Sequence, residues 1–101
     1  MRLGEEIHGK GLEERIKERV AGKIDVHLGK SGLTESFINE VKNRLEKHKV
    51  VKIKVLKSFR KSYTDDVESI AEEIARATSA RVYETRGYTI ILIKEKQPRK
   101  H

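Results

Sequence analysis

The stretch Ile24-Asp25-Val26-His27-Leu28-Gly29-Lys30-Ser31-Gly32-Leu33-Thr34-Glu35 carries the turn on which the rest of the chain is arranged. Ile24, Val26 and Leu28 alternate with Asp25 and His27, the period of two expected of a half-buried strand over residues 24–28. Thr34 is placed to cap a following helix, from about Glu35 to His48, whose apolar stripe is Phe37, Ile38, Val41 and Leu45. Leu33 and Ile38 have the spacing of a hydrophobic staple around that cap. Between strand and helix lies Gly29-Lys30-Ser31-Gly32. Its glycines let the backbone pass close to a ligand, the helix start offers free N–H groups, and Lys30 adds a mobile cation. A phosphate could be held there, although a GxxG alone fits a plain tight turn equally well.

Outward from the turn, a first helix is expected over residues 12–21, with Leu12, Ile16 and Val20 on one face and Gly22 ending it. Its charges nearly cancel, so its reading is a cover for the sheet. Beyond the central helix, Val50 to Leu56 reads as a strand, with Val51, Ile53 and Val55 on one face and Lys52 and Lys54 on the other. Residues 57–63 read as an exposed loop. A third helix is expected from about Asp65 to Ala77, capped by Thr64, with Val67, Ile70, Ala71, Ile74 and Ala75 inward. A strand over about Arg81–Thr85, a turn at Arg86-Gly87 and a strand over Tyr88–Lys94 follow. The fold class is therefore α/β, a small two-layer fold in the order α-β-α-β-α-β-β. Its four-stranded mixed sheet has helix-linked strands parallel and the last pair an antiparallel hairpin. Residues 1–11 read as a flexible lead-in, 12–96 as one domain and 97–101 as a basic tail.

The 101 residues suit one modest core. The chain contains no cysteine, which excludes disulfides and thiolate metal sites. No apolar run reaches the ~20 residues of a membrane span, so a cytoplasmic protein is expected. Charged residues make up 39% of the chain, and Asn39, Asn43 and Gln97 are its only side-chain amides, a profile that suits a hyperthermophile.

The net charge is +7, and the stretch Lys47 to Tyr63 holds seven basic residues (Lys47, Lys49, Lys52, Lys54, Lys57, Arg60 and Lys61) and no acidic one. Residues 64–78 hold five acids and one base. Grouped positive charge in a chain of pI about 9.7 is the electrostatic footprint of a nucleic-acid binder, against the plainer reading of a solvated, lysine-protected strand edge. Phe59, Tyr63 and Tyr88 flank the cations and could stack on bases or simply pack. The four histidines (His8, His27, His48 and His101) show no metal-ligand spacing, and no nucleophile or Walker motif is present. Neither a catalytic set nor a cofactor site is expected.

The runs His27 to Glu35, Val50-Val51-Lys52-Ile53-Lys54-Val55 and Arg86-Gly87-Tyr88-Thr89-Ile90-Ile91-Leu92, in that order, resemble the CRM domain (chloroplast RNA splicing and ribosome maturation), with its single-domain YhbY-like members in bacteria and archaea. An archaeal single-domain member is the expectation. The resemblance implies a fold similar to the C-terminal domain of bacterial translation initiation factor three. It also implies RNA binding at the GxxG loop, and for single-domain members an association with precursors of the large ribosomal subunit. Carried onto this chain, it marks Gly29, Lys30, Ser31 and Gly32, with Lys52, Lys54 and Arg86 as basic neighbours. Lys57, Arg60 and Lys61 are added from charge alone. Lys23-Ile24 stands where the family has Pro-Val, and Ile93 where it has tyrosine.

The expected partner is thus RNA, bound by a monomer that recognises shape more than sequence. The competing readings are an Alba-like architectural protein on duplex DNA and a module that docks on a ribosomal protein.

Overall fold

Apolar content assigns each strand its place in the sheet. The computed structural model describes residues 11–94. Its elements are α1 (Leu12–Ala21), β1 (Val26–Leu28), α2 (Glu35–His48), β2 (Val50–Val55), α3 (Lys57–Ser62), α4 (Val67–Thr78), β3 (Ala80–Arg86) and β4 (Thr89–Lys94). The sheet order is β1-β2-β4-β3, with β1 and β2 parallel and β4 antiparallel to both of its neighbours. β2 and β3 run in the same direction, as helix-linked strands should, but β4 lies between them. The two central strands are the ones whose apolar residues occupy both faces: Val50, Val51, Ile53 and Val55 in β2, and Ile90 through Ile93 in β4, all buried. The edge strands β1 and β3 instead alternate. A strand buried on two sides belongs in the interior of the sheet.

Helices α2 and α4 form a layer on one face. Val41 and Leu45 of α2 and Ile70, Ala71 and Ile74 of α4 share a core with Val26, Leu28, Val51, Ile53, Val55, Ile90 and Leu92 of the sheet. The α/β class and the mixed four-stranded sheet are as expected, with one further helix. The expected two layers are three, because α1 lies on the opposite face, where Ile16 meets Val50, Ile91 and Ile93. The face that α1 presents differs from the expected one. Leu12 and Val20 are exposed, and Arg19 is buried beside Ile16 in their place.

Local chemistry sets the helix ends. Thr34 caps α2 as expected, its Oγ1 accepting from the Phe37 amide at 3.0 Å. At α4 the cap is Asp66, not Thr64. Asp66 accepts from both the amide and the hydroxyl of Ser69, at 3.4 and 3.0 Å, whereas Thr64 accepts from the Asp66 amide one step earlier. The expected loop over 57–63 is helical instead. Its only strong local cue is the pair Phe59 and Tyr63, one turn apart, and burial of Phe59 in the core fixes the segment. Tertiary packing decides such a short helix.

Among the described residues no helix is long and apolar enough to cross a membrane. Residues 1–10 of the expected lead-in and the tail over 97–101 lie outside the described residues.

Candidate nucleic-acid interface

Three junctions leave the same end of the sheet: the turn after β1, the start of α3 after β2, and the hairpin between β3 and β4. Backbone hydrogen bonds tie them together. The Leu56 amide donates to the Leu28 carbonyl at 2.9 Å, and the Val55 amide to the Tyr88 carbonyl at 2.8 Å. Every cation on these segments is therefore held against one rigid sheet end.

In the first junction, the Gly32 amide donates to the Gly29 carbonyl at 2.9 Å and closes a four-residue turn with Lys30 and Ser31 exposed at its tip. The two glycines do different work. Gly32 has φ +83° and is buried beneath Tyr63, whose phenol oxygen would lie 2.8 Å from any added Cβ. At Gly29 an added Cβ would meet only Leu56 Cδ1 at 3.4 Å and Ser58 Oγ at 3.6 Å, close to ordinary contacts. The expected approach of backbone to ligand at Gly32 is thus taken by the Tyr63 ring. The amides of Gly32 and Thr34 are also spent inside the loop. What this turn still offers a phosphate is the Lys30 ammonium together with the Lys30 and Ser31 amides at its exposed tip, which meet no backbone acceptor among the described residues.

The basic stretch over Lys47–Tyr63 is grouped in sequence and divided in space. Lys47 and Lys49 close α2 at the opposite end of β2, where the Lys49 ammonium donates to the Glu46 carbonyl at 3.1 Å. Lys52 corrects the sequence reading. It shares a face with Lys54, as the period of two requires, but α1 covers it. Its ammonium is buried and donates to the Arg19 carbonyl at 2.8 Å. The Arg19 guanidinium lies beside it and forms a two-pronged pair with Asp25, 2.9 Å on each prong, while the second Asp25 oxygen also accepts from the Lys52 amide at 2.8 Å. Lys52 therefore belongs to a buried ionic knot between α1 and the sheet and presents no charge to a ligand.

Lys54, two residues on, lies past the end of that cover and is exposed. Sheet register places His27, Lys54, Thr89 and Arg86 side by side across all four strands, one residue from each. Directly opposed residues share a face with Cβ atoms about 5 Å apart, so the row is a continuous polar, basic strip. His27 and Arg86 are exposed like Lys54, and the Thr89 hydroxyl donates to the Arg86 carbonyl at 2.7 Å. Arg86 lies 3.7 Å from Glu84 in a solvent-exposed pair that holds it weakly.

Lys57, Arg60 and Lys61 ride on α3. Lys57 and Lys61 are exposed; Arg60 is half-buried, with its guanidinium carbon 3.6 Å from the centre of the Tyr88 ring and its Nε donating to the Val55 carbonyl at 3.4 Å. Arg60 therefore clips α3 to the hairpin by a cation–π contact. Phe59 is core. Tyr63 stacks on it, ring centres 4.6 Å apart, and remains exposed.

Sequence reasoning missed the Tyr63–Gly32 contact, Thr89 in the basic row and the Arg19–Asp25–Lys52 knot. A local signal existed only for the knot: Arg19 follows Ile16 by three residues and so shares its helix face, and Asp25 shares the period-two face of β1 opposite Lys52.

The chain is similar to known proteins in sequence and in fold. The family model described as the CRS1 / YhbY (CRM) domain matches residues 10–94. The "Probable RNA-binding protein YqeI" of Bacillus subtilis is 27% identical over 73 residues, 72% of either chain. A Haemophilus influenzae protein named as an RNA-binding protein is 32% identical over 75 residues, 74% of this chain and 72% of its own. The solution structure of a Staphylococcus aureus protein for which RNA binding has been suggested superposes with a TM-score of 0.59 at 27% identity, over 90% of this chain and 93% of that one.

Proposed function

Since the chain belongs to the CRS1/YhbY (CRM) domain family, we propose that it binds structured RNA through the sheet end that carries the GxxG turn, and that it does so without catalysis. The observation that carries this reading is the row His27–Lys54–Thr89–Arg86 with Lys30 at the adjoining turn. It forms a basic strip on rigid strands; of the carboxylates near it, Asp25 is neutralised inside the knot and Glu84 holds Arg86 only through a solvent-exposed pair at 3.7 Å. Such a strip positions a phosphodiester backbone and reads no base edge, which suits a folded RNA. Lys57 and Lys61 extend the positive field beside it.

The names of the relatives support RNA as the ligand. The RNA we propose is ribosomal RNA in precursors of the large subunit, bound during assembly by a single copy of the protein. Crosslinking in cells followed by sequencing of the attached nucleic acid tests this. Crosslinks concentrated on large-subunit precursor RNA are expected. Reads spread over duplex DNA, or no attached nucleic acid, would overturn the proposal.

A further inference from the structure

A second feature lies on the other flank of the turn. A cleft of about 520 Å³ opens between the turn, α3 and the start of α4, within the ~300–1,000 Å³ usual for small-ligand sites. Leu33, Phe59 and Ile70 give it apolar surface, and hydroxyls including those of Ser31, Ser62 and Tyr63 line its rim. No lysine or arginine lines it, and its one charged side chain is a carboxylate, Glu73. An anionic phosphate would be repelled there. A flat, uncharged, hydrogen-bonding ring would not.

Tyr63 supplies the platform for such a ring. It is 60% exposed, an unusual state for a side chain fixed at two points, with one face stacked on Phe59 and the phenol oxygen against Gly32. An aromatic ring that is already immobilised with a face open loses little entropy when a base stacks on it. Lys30 directly precedes Ser31 and Lys61 directly precedes Ser62, so each rim of the cleft begins next to an exposed cation. Phosphates held on the rims would leave the intervening base over the cleft.

From this arrangement, and resting on the reading that RNA is bound at this end of the molecule, we propose that the cleft receives one unpaired nucleobase of the RNA, stacked on Tyr63, and that Glu73 selects guanine. Glu73 forms no ion pair or hydrogen bond among the described residues, so its two oxygens are available. The Watson–Crick edge of guanine presents two adjacent N–H donors, a match for a carboxylate that accepts through both oxygens. Adenine presents one. That edge is open only in a loop, bulge or single strand. The protein would thus read RNA shape with its basic strip and one base with its cleft.

The test uses the full chain and three hairpin RNAs identical except at one position: an unpaired guanine, an unpaired adenine, or no unpaired residue. The wild type is expected to bind the guanine hairpin about ten-fold more tightly than the adenine one, and ring-proton resonances of Tyr63 should move upfield when it binds. Glu73→Gln should bring the two unpaired hairpins to within about two-fold of each other without changing affinity for the paired RNA. Tyr63→Leu should weaken the guanine complex about ten-fold. Because that variant also loses its stack on Phe59, the resonance shift in the wild type stands as the independent readout. Equal affinity for all three RNAs, with Tyr63 unshifted, would overturn the cleft while leaving RNA binding intact. Failure to bind any of them would overturn the reading of the previous subsection, and the cleft with it.

Discussion

Lys52 and Lys54 sit two residues apart on one strand and one face, and the fold puts them to opposite uses. Lys52 lies under α1, its ammonium fixed on a carbonyl and its neighbourhood closed by the Arg19–Asp25 pair. Lys54 lies one row further along, beyond the helix, in an open strip with His27 and Arg86. Two residues of strand, about 7 Å, separate a structural cation from an exposed one. The charge pattern of a strand therefore shows which face is polar. The length of the helix laid across it shows how much of that polarity is free.

The sharpest way to break this contrast is at Asp25. Removing its carboxylate in Asp25→Ala strips the buried Arg19 of its two-pronged partner, leaving it Glu18 at 3.3 Å, and strips the Lys52 amide of its side-chain acceptor. Loss of one partner of a buried pair costs about 3–5 kcal/mol. Urea denaturation should show a loss of that order. Lys54→Ala, by contrast, should stay within about 0.5 kcal/mol of wild type, as exposed substitutions generally do. A small loss at Asp25 would mean that the ion pair adds little to stability and that α1 is held by Ile16 and by the hydrogen bonds of Lys52 and Arg15.

The two glycines of the turn sharpen the same point on a smaller scale. Gly32→Ala forces a side chain into a left-handed backbone position and against Tyr63, and should cost more than about 1 kcal/mol. Gly29→Ala meets only near-ordinary contacts and should be close to neutral in a thermal melt. Equal effects at both positions would mean that the motif is conformational throughout, with no special role for Tyr63.

Ligand binding separates the cations next. Replacing Lys30, Lys54 or Arg86 by alanine should each reduce the salt dependence of RNA affinity by about one phosphate contact, with the melting curve unchanged. Lys52→Met should do the reverse, altering the melt and leaving the salt slope alone. A slope change for Lys52→Met equal to that for Lys54→Ala would return Lys52 to the interface.

How much of this was legible beforehand follows from the range of each interaction. The Thr34 cap, the amphipathic stripe of α2, the alternation of β1 and the pairing of the last two strands as a hairpin are set by residues within a few positions of one another and stand as expected. The hairpin turn falls at Gly87-Tyr88, one residue on from the expected Arg86-Gly87, and β2 buries Val50 and Lys52 besides its expected apolar face. The place of β4 in the middle of the sheet could have been inferred from Ile90 to Ile93, since an uninterrupted apolar run has no solvent face to give. Helix α3 could not, because the reason for it is the pocket that buries Phe59. At the candidate site the glycine turn was visible, but the division of the basic stretch was not. A one-dimensional count of lysines cannot see which of them a distant helix covers.

His48 gives the smallest effect, and it probes the edge of the knot. It closes α2 where Arg15 donates to its carbonyl at 3.2 Å. Its imidazole titrates below the ordinary value of 6.5, first because burial disfavours the charged form and then because Arg19 and Arg15, with a smaller push from Lys47, repel a further positive charge; Asp25 opposes them. A histidine whose folded pKa is depressed takes up its proton more readily in the unfolded chain. Stability should therefore fall as pH drops through 6.5 toward the folded value, and remain level above that window. His48→Asn removes the titration, so the difference in stability between variant and wild type should shift in favour of the variant on acidification from about pH 7 to 5. A difference that is constant over this range would place His48 outside the field of Arg19 and Arg15, and the knot would then end at Arg19 without reaching the last turn of α2.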